Sequence, residues 1–313
     1  MRLKPGRPDL RRHASRHDVP PAQEGALGVT FLGVSTLLVS DGESAVMTDG
    51  FFSRPGLVQV GVGRIAPSPE RIDAALSRAL GDAGVTGLEA VVPVHSHYDH
   101  ALDSAVVADR TGAVLVGGTS TENLGRGAGL PDDRIRVMAS GEALTCGSFT
   151  LAFTASAHCP PDRYPGTIDA PVVPPARTAA YRCGEAWSIL LTHDPSGRTA
   201  LVQGSAGYVA GSLDGQRADV VYLGVGQLGV QPEPYLEAYW EHTVRAVGAR
   251  RVVLTHWDDF FRPLDKPLRA LPYAGDDLDA SIRTLDRLAT ADGVTVHLPT
   301  LWRREDPWSG LPG

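Results

Sequence analysis

The sequence predicts a layered α/β sandwich in which helices cover two mixed β-sheets. Three observations predict it. Strand-like and helix-like segments alternate along the chain, and a β-rich block opens each half. No repeat or linker divides the chain, whose 313 residues sit at the upper edge of one large domain. Hydrophobic residues make up 42% and charged residues 21%, enough for a packed core and too apolar for global disorder.

The opening, "MRLKPGRPDLRRHASRHDVPPAQEG", is basic and carries no apolar stretch, so it lacks the hydrophobic region of a secretory signal. It reads as a flexible, solvated arm over residues 1–25, with one domain over 26–313. Three short strands follow at Val29–Leu32, Thr36–Ser40 and Ala45–Thr48. "PSPERIDAALSRALGDAG" has helical periodicity, with Ser68 placed to cap it. "LEAVVPV" is an apolar strand, "DHALDSAVVADRTG" a helix and "AVLVG" the next strand.

The second half repeats the mixture. "FTLAFTASAH" is a strand ending on His158, and "AWSILLTHD" with "RTALVQG" forms a hairpin around "PSG". "DVVYLGV" is a buried strand, "EPYLEAYWEHTVRAVGA" a helix, and "RRVVLTHWDDF" a strand ending on His256. Tyr235, Tyr239 and Trp240 on that helix read as core aromatics. The helix "DLDASIRTLDRLATADG" and the strand "VTVHLP" follow. Residues 159–181 resist assignment. They hold six prolines and no periodicity, and so long a loop in a compact domain points to function. Because it begins beside His158, it reads as a wall or lid of a site.

Several classes are excluded. A net charge of −7 leaves no basic excess for nucleic acid. No run of 18 apolar residues spans a membrane. Cys146, Cys159 and Cys183 form no CxxC pair, which reads as a reducing compartment and a cytoplasmic location.

The chemistry gathers in "VVPVHSHYDHALD". The chain has ten histidines, and three of them stand here as His95, His97 and His100, with Asp99 between. His95 and His97 are two apart just past a strand end, where a short loop can converge them on one ion. Asp99 and His100 open the next helix and can face a second point. Imidazole and carboxylate suit Zn²⁺, and also Fe or Mn. No thiolate set is present, so an open catalytic site is expected rather than a closed structural one.

"HSHYDH" resembles the HxHxDH signature of the metallo-β-lactamase fold superfamily. "VTFLGVSTLLVSDGESAVMTDGFFSRP" resembles the opening of its branch containing ascorbate-6-phosphate lactonase-like and N-acyl-phosphatidylethanolamine phospholipase D-like proteins, and "SAH", "QGSAG" and "LTHWDDF" fall in the family's order. The resemblance covers roughly residues 27 to 300. It implies a four-layered αββα sandwich with His95, His97 and His158 as first-site ligands and Asp99, His100 and His256 as the second. It implies that Asp49 braces the ligand loop. One position departs from the pattern. Gly204–Ser205 stands where most binuclear members carry a bridging aspartate, and a protonated hydroxyl is a poor ligand. One subclass of zinc β-lactamases has serine there beside an intact second site, so one or two ions are both expected.

Asp258 and Asp259, following His256, are candidates for hydrogen bonds to a ligand imidazole. Tyr164, Tyr181 and Tyr208 are candidate donors to an oxyanion. The expected function is hydrolysis of a small ester, lactone, amide or phosphodiester by a metal-bound hydroxide, with Asp99 orienting the nucleophile and passing its proton. The alternatives are β-lactamase-like activity, or a non-hydrolytic iron-bearing or metal-binding member.

Overall fold

A computed structural model describes residues 4–312. The strands are β1 (Gly28–Phe31), β2 (Leu37–Ser40), β3 (Ala45–Thr48), β4 (Ala90–Val92), β5 (Val114–Gly117), β6 (Ile135–Val137), β7 (Ala143–Cys146), β8 (Phe149–Ala155), β9 (Trp187–His193), β10 (Arg198–Gln203), β11 (Val220–Gly224), β12 (Arg251–Thr255), β13 (Thr295–His297) and β14 (Arg304–Glu305). They form two seven-stranded sheets, ordered β14-β1-β2-β3-β4-β5-β6 and β13-β12-β11-β10-β9-β8-β7. Both sheets are mixed. In the first, pairing is antiparallel as far as β3 and parallel from β3 to β6. In the second it is antiparallel from β7 to β10 and parallel from β10 to β13.

Strand alternation builds the layers. Leu37, Val39, Val46, Ala90 and Val92 point inward and share one core with Phe149, Leu151, Phe153, Ile189 and Leu191 of the opposite sheet. Their neighbours Leu38, Met47, Val91 and Leu115 point outward, onto helices. The helices are α1 (Leu57–Val62), α2 (Pro69–Ala83), α3 (Tyr98–Ala101), α4 (Ser104–Thr111), α5 (Thr119–Gly127), α6 (Glu233–Trp240) and α7 (Leu278–Asp292). α2 buries Ile72, Ala75, Leu76, Ala79 and Ala83, the spacing of one helical face, and ends at Gly84 with φ 72°. The result is the expected sandwich of two mixed sheets flanked by helices.

Local expectations differ from the structure in a few places. Ser68 stands at the N-cap of α2, but its hydroxyl makes no capping bond. Pro69 follows it at the first turn, where no N–H needs a partner. α6 ends at Trp240 and widens into a π turn over Glu241–Arg245; Tyr239 and Trp240 are fully buried, as core aromatics should be. The strands β6, β7 and β14 and the helices α1 and α5 were not expected from the sequence.

The N-terminal segment departs most. Its described part is docked on the domain. Residues Leu10–Arg16 form a 3-10 turn, and Val19 is buried in the main core. Arg7 pairs with Asp259 at 3.2 Å, His13 with Asp279 at 2.9 Å and Arg16 with Asp286 at 2.5 Å. Arg303 donates to the carbonyls of His17 and Val19. The segment's charge suggests solvation only because its partners lie far along the chain. No helix among the described residues is long and apolar enough to cross a membrane.

Candidate metal centre

Every candidate ligand sits beyond the C-terminal end of a strand. β4 ends at Val92, and the loop after it carries His95 and His97, the latter at the N-cap of α3. Asp99 and His100 lie on α3. His158 follows the end of β8 by three residues, and His256 follows β12 directly. The two sheets therefore meet at one rim, and their loops converge there.

The convergence is close. His95 Nε2 and His97 Nδ1 face each other at 3.0 Å, and the His158 ring lies 5.0 Å and 4.7 Å from theirs, centre to centre. Potential ligand atoms of His95, His97 and His158 all fall within 4.8 Å of one another, as do those of Asp99, His100 and His256. In the second group His100 Nε2 and His256 Nε2 are 3.2 Å apart, and Asp99 Oδ2 is 3.4 Å from His256 Nε2. The groups adjoin, with the His95 and His100 rings 4.0 Å apart.

No protein-family model matches the chain, and no curated protein matches its sequence. Solved structures do match. A metallo hydrolase from the hyperthermophilic archaeon Ignicoccus hospitalis shares 16% identity over 88% of this chain and 96% of its own, with a TM-score of 0.53. A possible metal-dependent hydrolase from Veillonella parvula shares 16% over 89% and 98%, with a TM-score of 0.51. CmlA, a diiron β-hydroxylase from Streptomyces venezuelae, shares 13% over 92% of this chain and 55% of its own, with a TM-score of 0.55. Together with the paired mixed sheets and the histidine rim, these likenesses decide the fold. The chain has the metallo-β-lactamase fold.

Within this metallo-β-lactamase fold, the rings of His97, His100 and His158 are held from behind, while the far nitrogens of His95 and His256 have no partner. Asp49, just past β3, accepts from His100 Nδ1 at 2.8 Å and from the Val94 N–H at 2.9 Å, and is fully buried. That bond leaves His100 Nε2 free to face His256. His158 Nδ1 donates to the Cys159 carbonyl at 2.7 Å, leaving its Nε2 free. At His256 it is the backbone N–H that is held, donating to the Val34 carbonyl at 2.7 Å. Backbone strain collects here, since Val34, Asp49, Arg54 and His256 all have φ between 41° and 58°. Such conformations cost roughly 1–3 kcal/mol each and persist only where the surroundings enforce them.

Other candidates fall elsewhere. Ser205 belongs to neither ligand group; its hydroxyl accepts the Cys159 N–H at 3.0 Å. Asp258 and Asp259 reach no imidazole. Asp258 accepts the Val34 N–H at 2.8 Å and pairs with Arg54 at 2.7 Å, both side chains fully buried. Asp259 pairs with Arg7 and Arg269. The Tyr181 hydroxyl is buried without a partner, and Tyr208 stacks on His242. Tyr164 contributes its carbonyl, 3.3 Å from His97 Nε2. Sequence reasoning missed one group: Asp162 and Cys183 approach His97 from its other side. The proline-rich composition of 159–181 marked the segment but not these two residues.

The electrostatics of His95, His97 and His158 fit neutral ligands, and those of His100 differ. Burial, reinforced by the neighbouring rings, pushes His95 well below the usual histidine value and lowers His97. Burial brings His158 down to about 4. Burial opposes the charge on His100 too, but the Asp49 and Asp99 carboxylates outweigh it and hold that ring above its usual value. Burial likewise works against Asp99, yet His100 and His256 hold its carboxyl well below the carboxylate range. The Cys159 and Cys183 thiols are pushed up to about 12 by burial and stay protonated.

These shifts carry a pH dependence. Below pH 6.5 the histidines of the unfolded chain take up protons, whereas burial holds His95, His97 and His158 below that value in the fold; His100, raised in the fold, opposes this only above pH 6.5, since below it the ring is protonated in both states. The unfolded state then binds more protons than the folded one, so metal-free stability falls as the pH falls from 6.5 towards 5. Urea midpoints measured with chelator at pH 7 and pH 5 test this. A midpoint unchanged or higher at pH 5 contradicts it.

Proposed function

We propose that the protein is a metal-dependent hydrolase of a small ester, lactone, amide or phosphodiester. One observation carries the reading: paired imidazole nitrogens face each other at 3.0 Å and 3.2 Å inside a buried rim. Two nitrogens bound tetrahedrally to one zinc at about 2.0–2.1 Å would stand about 3.3 Å apart. In each facing pair one ring is anchored from behind, His97 by the Tyr164 carbonyl and His100 by Asp49, while the far nitrogens of His95 and His256 have no partner. His95, His97 and His158 would hold one cation, and Asp99, His100 and His256 a second. Zinc suits this donor set best, and Mn or Fe also fit.

A divalent cation there supplies a Lewis acid for a carbonyl or phosphoryl oxygen and lowers the pKa of water to about 7. The chain's own residues do the rest. Asp49 fixes the tautomer of His100. Asp99 is held too firmly ionised to be a strong proton store, so its role is to accept a hydrogen bond from the attacking water and aim it. Residues 159–181 wall the site and limit it to small substrates. With Ser205 bonded to the Cys159 N–H and no bridging carboxylate, the second cation binds more weakly.

Chelation should remove hydrolysis of a broad ester, lactone and phosphodiester panel, and added zinc should restore it. Turnover unchanged after verified metal removal excludes the reading. The likeness to a diiron β-hydroxylase favours a second reading, iron-dependent redox chemistry at the same residues. Metal quantification on protein purified without added metal separates the two. Stoichiometric iron without zinc would favour the second.

A further inference from the structure

We infer that Asp162 is a positioning residue for His97, and that through it the proline-rich segment and the first ligand group form one coupled unit. The inference rests on the reading of His97 as a metal ligand. Its grounds are the contacts on the far side of that ring.

His97 Nδ1 faces His95, so its Nε2 must be satisfied elsewhere. Two oxygens meet it, the Tyr164 carbonyl and Asp162 Oδ1, each at 3.3 Å. Both come from one local turn, closed by the Tyr164 N–H donating to Asp162 Oδ1 at 2.9 Å. An aspartate two residues ahead of a backbone N–H commonly makes this turn. The turn therefore presents a carbonyl and a carboxylate to the same imidazole N–H. This fixes the ring with Nδ1 bare, the form a cation needs, and raises its basicity. Asp162 is one-fifth exposed at its side chain, while His97 is almost fully buried. The carboxylate thus sits at the boundary between solvent and the rim.

The segment is also tied to the ligand loop through its backbone. The Ser96 N–H, between the two histidines, donates to the Cys183 carbonyl at 2.8 Å. The Cys183 N–H donates to the Tyr164 carbonyl at 2.9 Å, and the Gly184 N–H to the Gly166 carbonyl at 2.9 Å. The same carbonyl that accepts from His97 thus also closes the base of the proline-rich loop. Ordering the loop and orienting His97 become one event. Whatever favours one then favours the other by an equal free energy. A bound cation should hold the loop down, and a loosened loop should weaken the cation.

The loop carries its own reporters, because Arg163, Arg177 and Arg182 are exposed and each is a site for trypsin. The experiment compares wild type, Asp162→Ala and Asp162→Asn for zinc affinity, for the spectrum of the Co²⁺-substituted protein, and for tryptic cleavage at these arginines with and without zinc. Asparagine keeps a neutral acceptor and the turn while losing the charge. We expect zinc to slow cleavage of wild type. We expect Asp162→Ala to bind zinc 10–100-fold more weakly, with a shifted Co²⁺ spectrum and no zinc protection. Asp162→Asn should fall between the two, with metal-free melting temperatures unchanged. Unaltered zinc affinity in Asp162→Ala, or zinc protection that survives in it, overturns the inference. So does a loss of affinity that merely tracks a lower melting temperature in both variants. If wild type itself binds no zinc, the metal reading fails instead, which is a distinct outcome.

Discussion

Asp99→Asn is expected to lower turnover by about 10²-fold, the cost associated with misplacing a reacting group by about 1 Å. The substitution is nearly isosteric, so the fold should survive it. Its effect is electrical. Asp99 lies 3.4 Å from His256 Nε2 and 3.8 Å from His100 Nε2, and those rings hold its carboxyl well below the usual range. An amide there offers no negative charge to a second cation, and its NH₂ group can turn a donor toward the water that the carboxylate would aim. Both losses act on the reacting atoms, so kcat should fall more than KM rises. Zinc content should drop toward one equivalent if two are bound in wild type. Turnover within threefold of wild type would remove Asp99 from the mechanism and leave it a structural acid.

Asp258→Ala should destabilise the protein by about 3–5 kcal/mol, the usual result of removing one partner from a buried ion pair. Arg54 and Asp258 are both fully buried, 2.7 Å apart. Two further guanidinium nitrogens of Arg54, Nε and Nη2, have no hydrogen-bond partner, so without Asp258 the charge would be stranded. The loss would spread. Asp258 also accepts the Val34 N–H, and the Val34 carbonyl accepts the His256 N–H. Both Val34 and His256 are in the left-handed region, which a β-branched residue adopts only under constraint. Releasing the clamp should let that strand end relax and carry His256 away from His100. Urea unfolding measures the first effect and zinc affinity the second. The double variant Arg54→Met/Asp258→Ala, which removes both charges, should recover a good part of the stability. A single variant within 1 kcal/mol of wild type would show that the pair does not hold this rim.

The layers were legible because burial writes itself at period two along the strands. In β2 and β3, Leu37, Val39 and Val46 face one core while Leu38 and Met47 face the other. The histidine run was legible because its spacing is local. His158 and His256 were legible only as strand ends in a family's order, since nothing near them in sequence announces a ligand. Asp162 was invisible for the same reason, since it reaches His97 across a turn that no periodicity marks. Asp258 was misjudged because its partner, Arg54, lies 204 positions earlier in the sequence, and no local pattern reveals a buried ion pair. The docked N-terminal segment was hidden likewise by partners on the last helix and the loop after His256.

The placement of ligands on both sheets also sets a schedule during synthesis. His100 and His256 are neighbours in space but 156 positions apart in the chain. At roughly 5–20 residues per second, the ribosome needs about 10–30 s to travel between them. Throughout that interval the nascent chain displays His95, His97, Asp99 and His100 on a half-built rim. The second candidate group cannot close until β12 has joined its sheet, whereas the residues of the first, His95, His97 and His158, have all been made well before then. Under the proposed reading, a first cation could be held while the chain is still being made, and a second would have to wait until most of the chain has left the ribosome.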